Sequence, residues 1–268
     1  MRKIGVIGCG TIGSQICRSI DREHISAKLI GVCDVDPGKA EKLVADLKNE
    51  TPVLEQANLI DLADLVVEAA YRHAAPEIIR DTLNMGKDIL VMSVGGLLMH
   101  INEFRTLAEK KNRHIYVPSG AIAGLDTLKG AAEAGISHVT LTTRKPPRGL
   151  KGAPYVEEKA IDLDTITEST LIFSGSAMEA VPAFPANINV AAALSLAGIG
   201  PEKTRVLIYA DPDCEGNSHK VEVVGDFGKF VTYTELLAAP DNPKTSLLAA
   251  LSAIALLRRI TAAVVVGT

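Results

Sequence analysis

Three glycines near the start of the chain, Gly8, Gly10 and Gly13, have the spacing of a phosphate-binding turn. They follow a short apolar run and open a segment with helical periodicity. In such a strand–turn–helix unit the first glycine permits a tight turn, the second lets the backbone approach a pyrophosphate, and the third allows close helix–strand packing. The helix N-terminus adds N–H groups and partial positive charge. The pattern predicts a dinucleotide site that includes Thr11 and Ile12.

Asp34 ends the next β-branched run and is the candidate ribose ligand. A carboxylate at this position accepts hydrogen bonds from ribose hydroxyls and repels a 2′-phosphate. We therefore expect NAD as the cofactor, with NADP as the alternative. The other role open to Asp34 is to cap the helix that begins near Pro37, but Asp36 is better placed for capping.

The elements that position these residues follow from the alternation of β-branched and helix-period runs over the first 120 residues. This alternation predicts a parallel sheet covered by helices on both faces. The predicted strands are residues 3–7, 29–33, 65–68, 88–92 and 114–117. The predicted helices between them are residues 12–22, 37–47, 76–85 and 101–111.

The second half of the chain has a different pattern, in which strand-like segments follow one another without a helix between every pair. These segments are residues 138–143, 170–174, 205–210 and 220–224. We predict a long helix from Pro185 to Gly198, and a buried helix over residues 247–257 that packs on the first domain. The fold class is thus α/β, with a Rossmann-type doubly wound parallel sheet (residues 1–120 plus 241–268) and a second α+β domain on a mostly antiparallel sheet (residues 121–240).

Composition restricts the class of protein further. The 268 residues are 47% hydrophobic and 22% charged, as in a protein with a packed core. The net charge of −4 comes with no basic tail, so no nucleic-acid partner is expected. The N-terminus lacks the apolar core of a signal peptide, and the longest apolar run is shorter than the roughly 20 residues of a membrane span. The four cysteines show no C-x-x-C spacing, so we expect a cytoplasmic protein with reduced thiols and no metal site.

Five ordered blocks in the second half resemble the L-aspartate dehydrogenase family, and the likeness extends over essentially the whole chain. The blocks are PSGAIAGLD at 118–126, TRKPP at 143–147, FPANINVA at 184–191, NSH at 217–219 and NPKTS at 242–246. The resemblance implies reversible NAD(P)-dependent oxidation of L-aspartate to iminoaspartate. The imine then hydrolyses to oxaloacetate and ammonia or passes to a quinolinate-forming enzyme of NAD biosynthesis. It also implies a homodimer, with the second domain binding substrate and forming the dimer.

An amino-acid dehydrogenase needs a group that handles protons, because hydride leaves the α-carbon only when the amine is neutral. Histidine titrates nearest to neutrality, so we expect the oxidative rate to titrate in the imidazole range. His219 lies in a predicted loop before the strand at 220–224, and the family resemblance implies that it is the catalytic residue. The alternative is a loop histidine bonded to backbone. His73 follows the predicted strand at 65–68, where we expect helix capping or cofactor contact.

The resemblance also assigns the nicotinamide end of the cofactor to the Ala123 backbone and the Asn189 side chain, since an amide both donates and accepts hydrogen bonds. Asn187 points elsewhere on the predicted helix, so a capping role is expected for it. The substrate carboxylates need cations or N–H groups. The cations available in the matching blocks are Arg144, Lys145 and Lys244, and backbone N–H groups of residues 119–124 offer an alternative.

Two other functions stay open at this stage. One is an NAD-dependent dehydrogenase of another small amino or hydroxy acid. The other is an NAD-binding redox sensor without catalysis, which would need neither His219 nor Asn189.

Overall fold

The computed structural model describes residues 1–185, 188–236, 238–239 and 242–268. The chain forms two compact units. The first contains Met1–Pro118 and Ala249–Val266, and the second contains Ser119–Leu248 and Gly267–Thr268. Within the described ranges, no helix has the length and hydropathy needed to cross a bilayer.

The first unit is built on a five-stranded parallel sheet. Its elements are β1 (Arg2–Ile7), α1 (Thr11–Asp21), β2 (Ala27–Cys33), α2 (Pro37–Ala45), α3 (Gln56–Leu62), β3 (Leu65–Glu68), α4 (Ala75–Asn84), β4 (Asp88–Val91), α5 (Val94–Leu98), α6 (Ile101–Lys111) and β5 (Ile115–Tyr116). The strand order is β2-β1-β3-β4-β5, and every neighbouring pair is parallel. The order reverses at β1, so the carboxyl end of β1 lies at the switch point where ligands of doubly wound sheets bind.

The second unit is built on a mixed sheet. Its elements are α7 (Leu125–Ala132), β6 (Ile136–Lys145), α8 (Pro154–Glu158), β7 (Thr170–Ser176), α9 (Ala177–Ala183), α10 (Asn189–Ala197), β8 (Thr204–Ala210), β9 (Asn217–Gly225), β10 (Gly228–Leu236), β11 (Ala238–Ala239) and β12 (Asn242–Ser246). The last helix, α11 (Leu247–Thr261), belongs to the first unit from Ala249 onwards. The five-stranded sheet has the order β10-β9-β6-β8-β7. Only β6 and β8 pair in parallel. The predicted fold class, a doubly wound parallel sheet followed by a mostly antiparallel one, is therefore confirmed.

The core of the first unit is apolar on both faces of the sheet. All residues of β3 and β4 are buried, which is why these strands, apart from Glu68 and Asp88 at their ends, are apolar without alternation. Helix α11 returns to this core, where Ala253, Ile254 and Leu257 pack with Ile16 and Cys17 of α1.

The sheet of the second unit buries one face only. Along β6 the buried residues alternate as Val139, Leu141, Thr143 and Lys145. The neighbouring strand β9 contributes His219 together with two buried valines. One buried face therefore starts apolar and ends in a threonine, a lysine and a histidine, and this end of the sheet has the groups needed for chemistry.

Candidate nucleotide and catalytic sites

Two of the three glycines in the turn after β1, Gly8 and Gly13, have a geometric reason to lack a side chain. Gly8 has φ +104°, and an added Cβ would collide with the Ala69 backbone. A Cβ on Gly13 would collide with the Gly8 carbonyl, whereas Gly10 faces open space. Helix α1 begins directly after Gly10 without a side-chain cap. The turn is thus a backbone cradle at a helix N-terminus, which fits the pyrophosphate of a dinucleotide.

Asp34 is bonded to this turn. Its Oδ2 accepts from the Cys9 N–H at 2.6 Å, and its Oδ1 accepts from the Asp36 N–H at 2.9 Å. Each carboxylate oxygen keeps a further lone pair for ribose hydroxyls. Asp36 caps α2 by accepting from the Gly38 N–H at 3.1 Å. Asp34 therefore fixes the glycine turn against the end of β2 as well as offering acceptors to a ribose.

Glu68, at the end of β3, is a buried carboxyl that sequence reasoning missed. It is 0% exposed and accepts from the N–H of Ser93 at 2.9 Å, from the Ser93 hydroxyl at 2.9 Å and from the N–H of Ala70 at 3.0 Å. Burial raises its pKa to about 7 against the opposing effect of these hydrogen bonds. Glu68 joins the segments that follow β3 and β4, and the first of these segments packs on the Gly8 turn.

His73 does not cap a helix. The N-cap residue of α4 is Ala74, and no side chain caps this helix. The His73 ring is exposed and lies 5.4 Å from the Tyr71 ring, centroid to centroid. The capping role expected from the sequence is wrong, because the chain enters α4 through a turn whose backbone geometry needs no side-chain acceptor.

His219 lies within β9, not in a loop. The strand begins two residues earlier, at Asn217, because it pairs in register with both β6 and β10. The side chain is 4% exposed, and its Nδ1 lies 3.0 Å from the Thr143 hydroxyl on the adjacent strand. The ring is therefore held at one nitrogen, which fixes its orientation and leaves Nε2 for another partner.

Lys145 lies on the same buried face of β6, two residues beyond Thr143, and is 6% exposed. Burial lowers its pKa to about 8. Burial, with a further contribution from the Lys145 charge, lowers the pKa of His219 to about 3. The imidazole is thus neutral throughout the physiological range. Burial therefore opposes a titration of His219 near neutrality, and the pH dependence of the oxidative rate expected from the sequence stays a prediction.

The loop that carries Ala123 is anchored by two threonines of β10. The Thr232 hydroxyl donates to the Ala123 carbonyl at 3.1 Å, and the Thr234 hydroxyl donates to the Ala121 carbonyl at 3.2 Å. Gly124 has φ +90°, and a Cβ there would lie 2.9 Å from the Thr232 methyl. The backbone position of Ala123 is therefore set by strand β10, which the sequence analysis did not predict.

The remaining predicted ligands differ in their surroundings. Asn189 is the exposed first residue of α10. Arg144 points to the opposite face from Lys145, where its guanidinium contacts the Ser169 hydroxyl and the Asp211 carboxylate and lies 4.6 Å from the centre of the Tyr209 ring. These contacts favour a structural role for Arg144. Asn187 and the side chain of Lys244 lie outside the described residues, so their predicted roles stay predictions.

Comparison with known proteins identifies the family. Residues 126–260 match the family model described as aspartate dehydrogenase, C-terminal, and residues 8–118 match the model described as homoserine dehydrogenase, NAD binding domain. An L-aspartate dehydrogenase of Methanosarcina acetivorans is 50% identical over the full length of both chains. The chain belongs to the aspartate dehydrogenase family. The resemblance seen in the sequence is thereby confirmed.

One further sequence and one crystal structure are also similar to this member of the aspartate dehydrogenase family. The L-aspartate dehydrogenase 3 of Bordetella bronchiseptica is 41% identical over 99% of this chain and 97% of its own length. The crystal structure of aspartate dehydrogenase from Thermotoga maritima covers both chains fully, with a TM-score of 0.77 and 24% identity, and so shows the same fold. Together with the NAD-binding family model, the glycine cradle identifies NAD as the cofactor of the first unit.

Proposed function

We propose that this enzyme oxidises L-aspartate to iminoaspartate with NAD. The observation that carries the proposal is the buried group of His219, Thr143 and Lys145 in a chain of this family. Burying a lysine and a histidine at the end of one sheet face costs folding free energy. Such burial is typical of residues that take part in catalysis or binding.

NAD supplies the hydride acceptor when it is bound. The residues proposed to hold it are the Gly8–Gly13 turn with Thr11 and Ile12 for the pyrophosphate, and Asp34 for the ribose. The contacts of Ala123 and Asn189 with the nicotinamide end are carried over from the family resemblance. The anchoring of the Ala123 carbonyl by Thr232 supports its part of this assignment.

His219 is proposed as the base that takes a proton from the water attacking the imine carbon. A neutral imidazole is the form that accepts a proton, and the carboxylates of a bound dicarboxylate would raise the pKa of His219 from the low value that burial gives it towards the working pH. The Thr143 hydroxyl fixes the ring so that the proton is received at Nε2. The products are then oxaloacetate and ammonia. When release is faster than hydrolysis, iminoaspartate becomes available to a quinolinate-forming enzyme.

We further propose a cytoplasmic homodimer formed through the second unit, and a substrate site that uses Lys145 and Lys244, with backbone N–H groups of residues 119–124. Cys9, Cys17, Cys33 and Cys214 all carry free thiols, which agrees with a reducing compartment. Light scattering coupled to size-exclusion chromatography tests the dimer, and a monomer at assay concentration would contradict it.

A substrate panel tests the reaction. The purified protein is mixed with NAD or NADP and one of L-aspartate, D-aspartate, L-glutamate, L-homoserine or L-malate, and formation of reduced cofactor is followed by absorbance. We expect L-aspartate to give the highest kcat/KM. A higher value for L-homoserine or L-malate would assign the protein to another substrate. NAD binding without reduction by any compound would favour a sensor.

A further inference from the structure

His219 and Lys145 on the described buried face of the second sheet can both exchange protons, and they are not equivalent. The pKa of His219 is lowered to about 3, whereas that of Lys145 is lowered to about 8. The α-amino group of a peptide has a pKa of about 7.7 to 8.0, and that of a free amino acid lies higher because its own carboxylate favours the ammonium form. Proton transfer is efficient when donor and acceptor have similar pKa values near the working pH. Of the two groups, Lys145 is therefore the closer match to the α-ammonium of an amino acid.

The position of Lys145 supports the same conclusion. Its side chain extends from the buried face of β6, beside the histidine that Thr143 orients, and only 6% of the residue is exposed. The 3₁₀ turn Pro147–Leu150 packs against it, since a Cβ on Gly149 would lie 3.7 Å from the Lys145 Cβ. Burial makes the charged form of a lysine costly, so it favours a neutral amine at this position, which is the form that accepts a proton.

Among the residues that the structure describes, charged and titratable groups near Lys145 come from β9, the loop before β9 and the turn after β6. His219 faces it from β9, and Cys214 acts on it from the loop before β9, where a thiolate would raise the lysine pKa. The turn after β6 contributes Arg148, which is exposed to solvent. The neighbouring Arg144 points to the other face of the sheet, towards Asp211.

We propose that Lys145 accepts the proton that the α-ammonium of the amino-acid substrate loses before hydride transfer. This inference rests on the proposed function. The substrate N–H bond breaks as an Nζ–H bond forms, so the ammonium becomes an amine and Lys145 becomes an ammonium. The neutral amine is the form of the substrate that could form a C=N bond, and NAD, when bound, would supply the hydride acceptor.

Three variants separate this role from carboxylate binding. Lys145→Arg keeps a cation that does not deprotonate in the assay range. Lys145→Met keeps the length without charge, and Lys151→Met changes an exposed lysine six residues away as the matched control. Each is assayed for kcat and KM with L-aspartate from pH 6.5 to 10. NAD affinity is measured in parallel.

We expect wild-type kcat to rise with pH through an apparent pKa near 8, as does that of Lys151→Met. Lys145→Arg should keep the aspartate KM within a few-fold but lose about 10²-fold or more in kcat. Lys145→Met should lose kcat to a similar extent, and its residual rate should lose the apparent pKa near 8 and instead follow the titration of the substrate ammonium at higher pH. A Lys145→Arg enzyme with near wild-type kcat, or a Lys145→Met enzyme changed only in KM, would overturn the proposal.

The melting temperature is measured alongside these assays, because it depends on the pKa of Lys145 and not on catalysis. A lysine whose pKa is lowered in the folded state binds fewer protons than in the unfolded chain, so it makes folding more favourable as the pH rises from about 8 to 10. The melting temperature of the wild type should therefore rise relative to Lys145→Met over this interval. A constant difference would overturn the proposal. If the wild type oxidises no amino acid, the proposed function is wrong. If the wild type oxidises L-aspartate but the Lys145 variants behave like it, only the role proposed for Lys145 is wrong.

Discussion

The imidazole of His219 is held by the Thr143 hydroxyl at 3.0 Å and is nearly inaccessible to water. These two facts restrict what the residue does. A ring held in this way presents a single oriented nitrogen, and it accepts a proton from water only when bound substrate carboxylates raise its pKa. It is not suited to report the pH through its own charge. Sequence reasoning identified His219 only through its place in the NSH block, since nothing in a one-dimensional pattern marks a histidine as buried.

His219→Ala should leave NAD affinity nearly unchanged and lower aspartate turnover by roughly 10² to 10⁴, the usual contribution of a positioned proton-transfer group. Thr143→Val, which removes only the hydroxyl that orients the ring, should give a smaller loss of kcat with an unchanged pH profile. Steady-state kinetics and NAD titration check both variants. Aspartate oxidation at a near wild-type rate by His219→Ala would remove the residue from the mechanism.

Asp34 holds the glycine turn and is proposed to bind the ribose. A substitution separates these two roles when the affinities for NAD and NADP are compared. Asp34→Ala should weaken NAD by about 1 to 3 kcal/mol, because ribose hydrogen bonds to a carboxylate are lost. NADP should weaken less, because the repulsion of its 2′-phosphate is also removed. Loss of the Cys9 contact affects both cofactors alike. Fluorescence titration measures the two affinities.

Asp36→Ala is the matched control for this experiment, since Asp36 caps α2 through Gly38. It should cost about 1 kcal/mol of unfolding free energy with little change in the ratio of the two affinities. Equal weakening of NAD and NADP by Asp34→Ala would leave Asp34 with a structural task alone.

At the scale of elements, the parallel strands were predictable because each is an apolar run of β-branched residues. Helix α3 was missed because seven residues carry too little periodicity to be recognised. Strand β10 was missed for another reason. It pairs only with β9, at the edge of the sheet, and has no buried residue, so it lacks the apolar face that marks a strand. Missing β10 also placed His219 in a loop, because its second pairing partner was absent.

The ends of β3 and β4 give a prediction that depends on pH. The pKa of Glu68 is raised to about 7 in the folded state, so its contribution to stability is fully present below about pH 4.5 and is lost as the pH rises through 7. The wild type should lose about 3 kcal/mol over this interval relative to Glu68→Gln, which does not titrate. Urea unfolding at several pH values measures the difference.

Ser93→Ala serves as the second variant for this site. It removes a hydrogen bond to the carboxylate, so the pKa of Glu68 should rise further and the pH interval of the loss should move upwards. A wild-type stability that runs parallel to that of Glu68→Gln from pH 4.5 to 8 would show that the buried carboxyl keeps its ordinary pKa.

At the scale of the whole molecule, the first unit is not continuous in sequence. Its sheet is complete by Tyr116, yet its core also needs α11, which follows the entire second unit. The apolar run at 247–257 indicated a buried helix, but the sequence pattern alone does not specify which core receives it. The dependence of a nucleotide-binding unit on the last helix of the chain makes its stability sensitive to residues far from the glycine turn.

Leu257 tests this dependence. It is 0% exposed in the core that contains Ile16 and Cys17 of α1, the helix whose N-terminus follows Gly10. Leu257→Ala should cost about 2 to 5 kcal/mol of unfolding free energy, the usual range for a buried leucine. Leu251→Ala, on the same helix but 47% exposed, should change stability by no more than about 0.5 kcal/mol.

Saturating NAD should offset part of the Leu257→Ala loss, since a ligand at 100 times its Kd adds about 2.7 kcal/mol. Thermal unfolding with and without NAD measures all three effects, and equal losses from the two leucine variants would show that α11 does not complete this core.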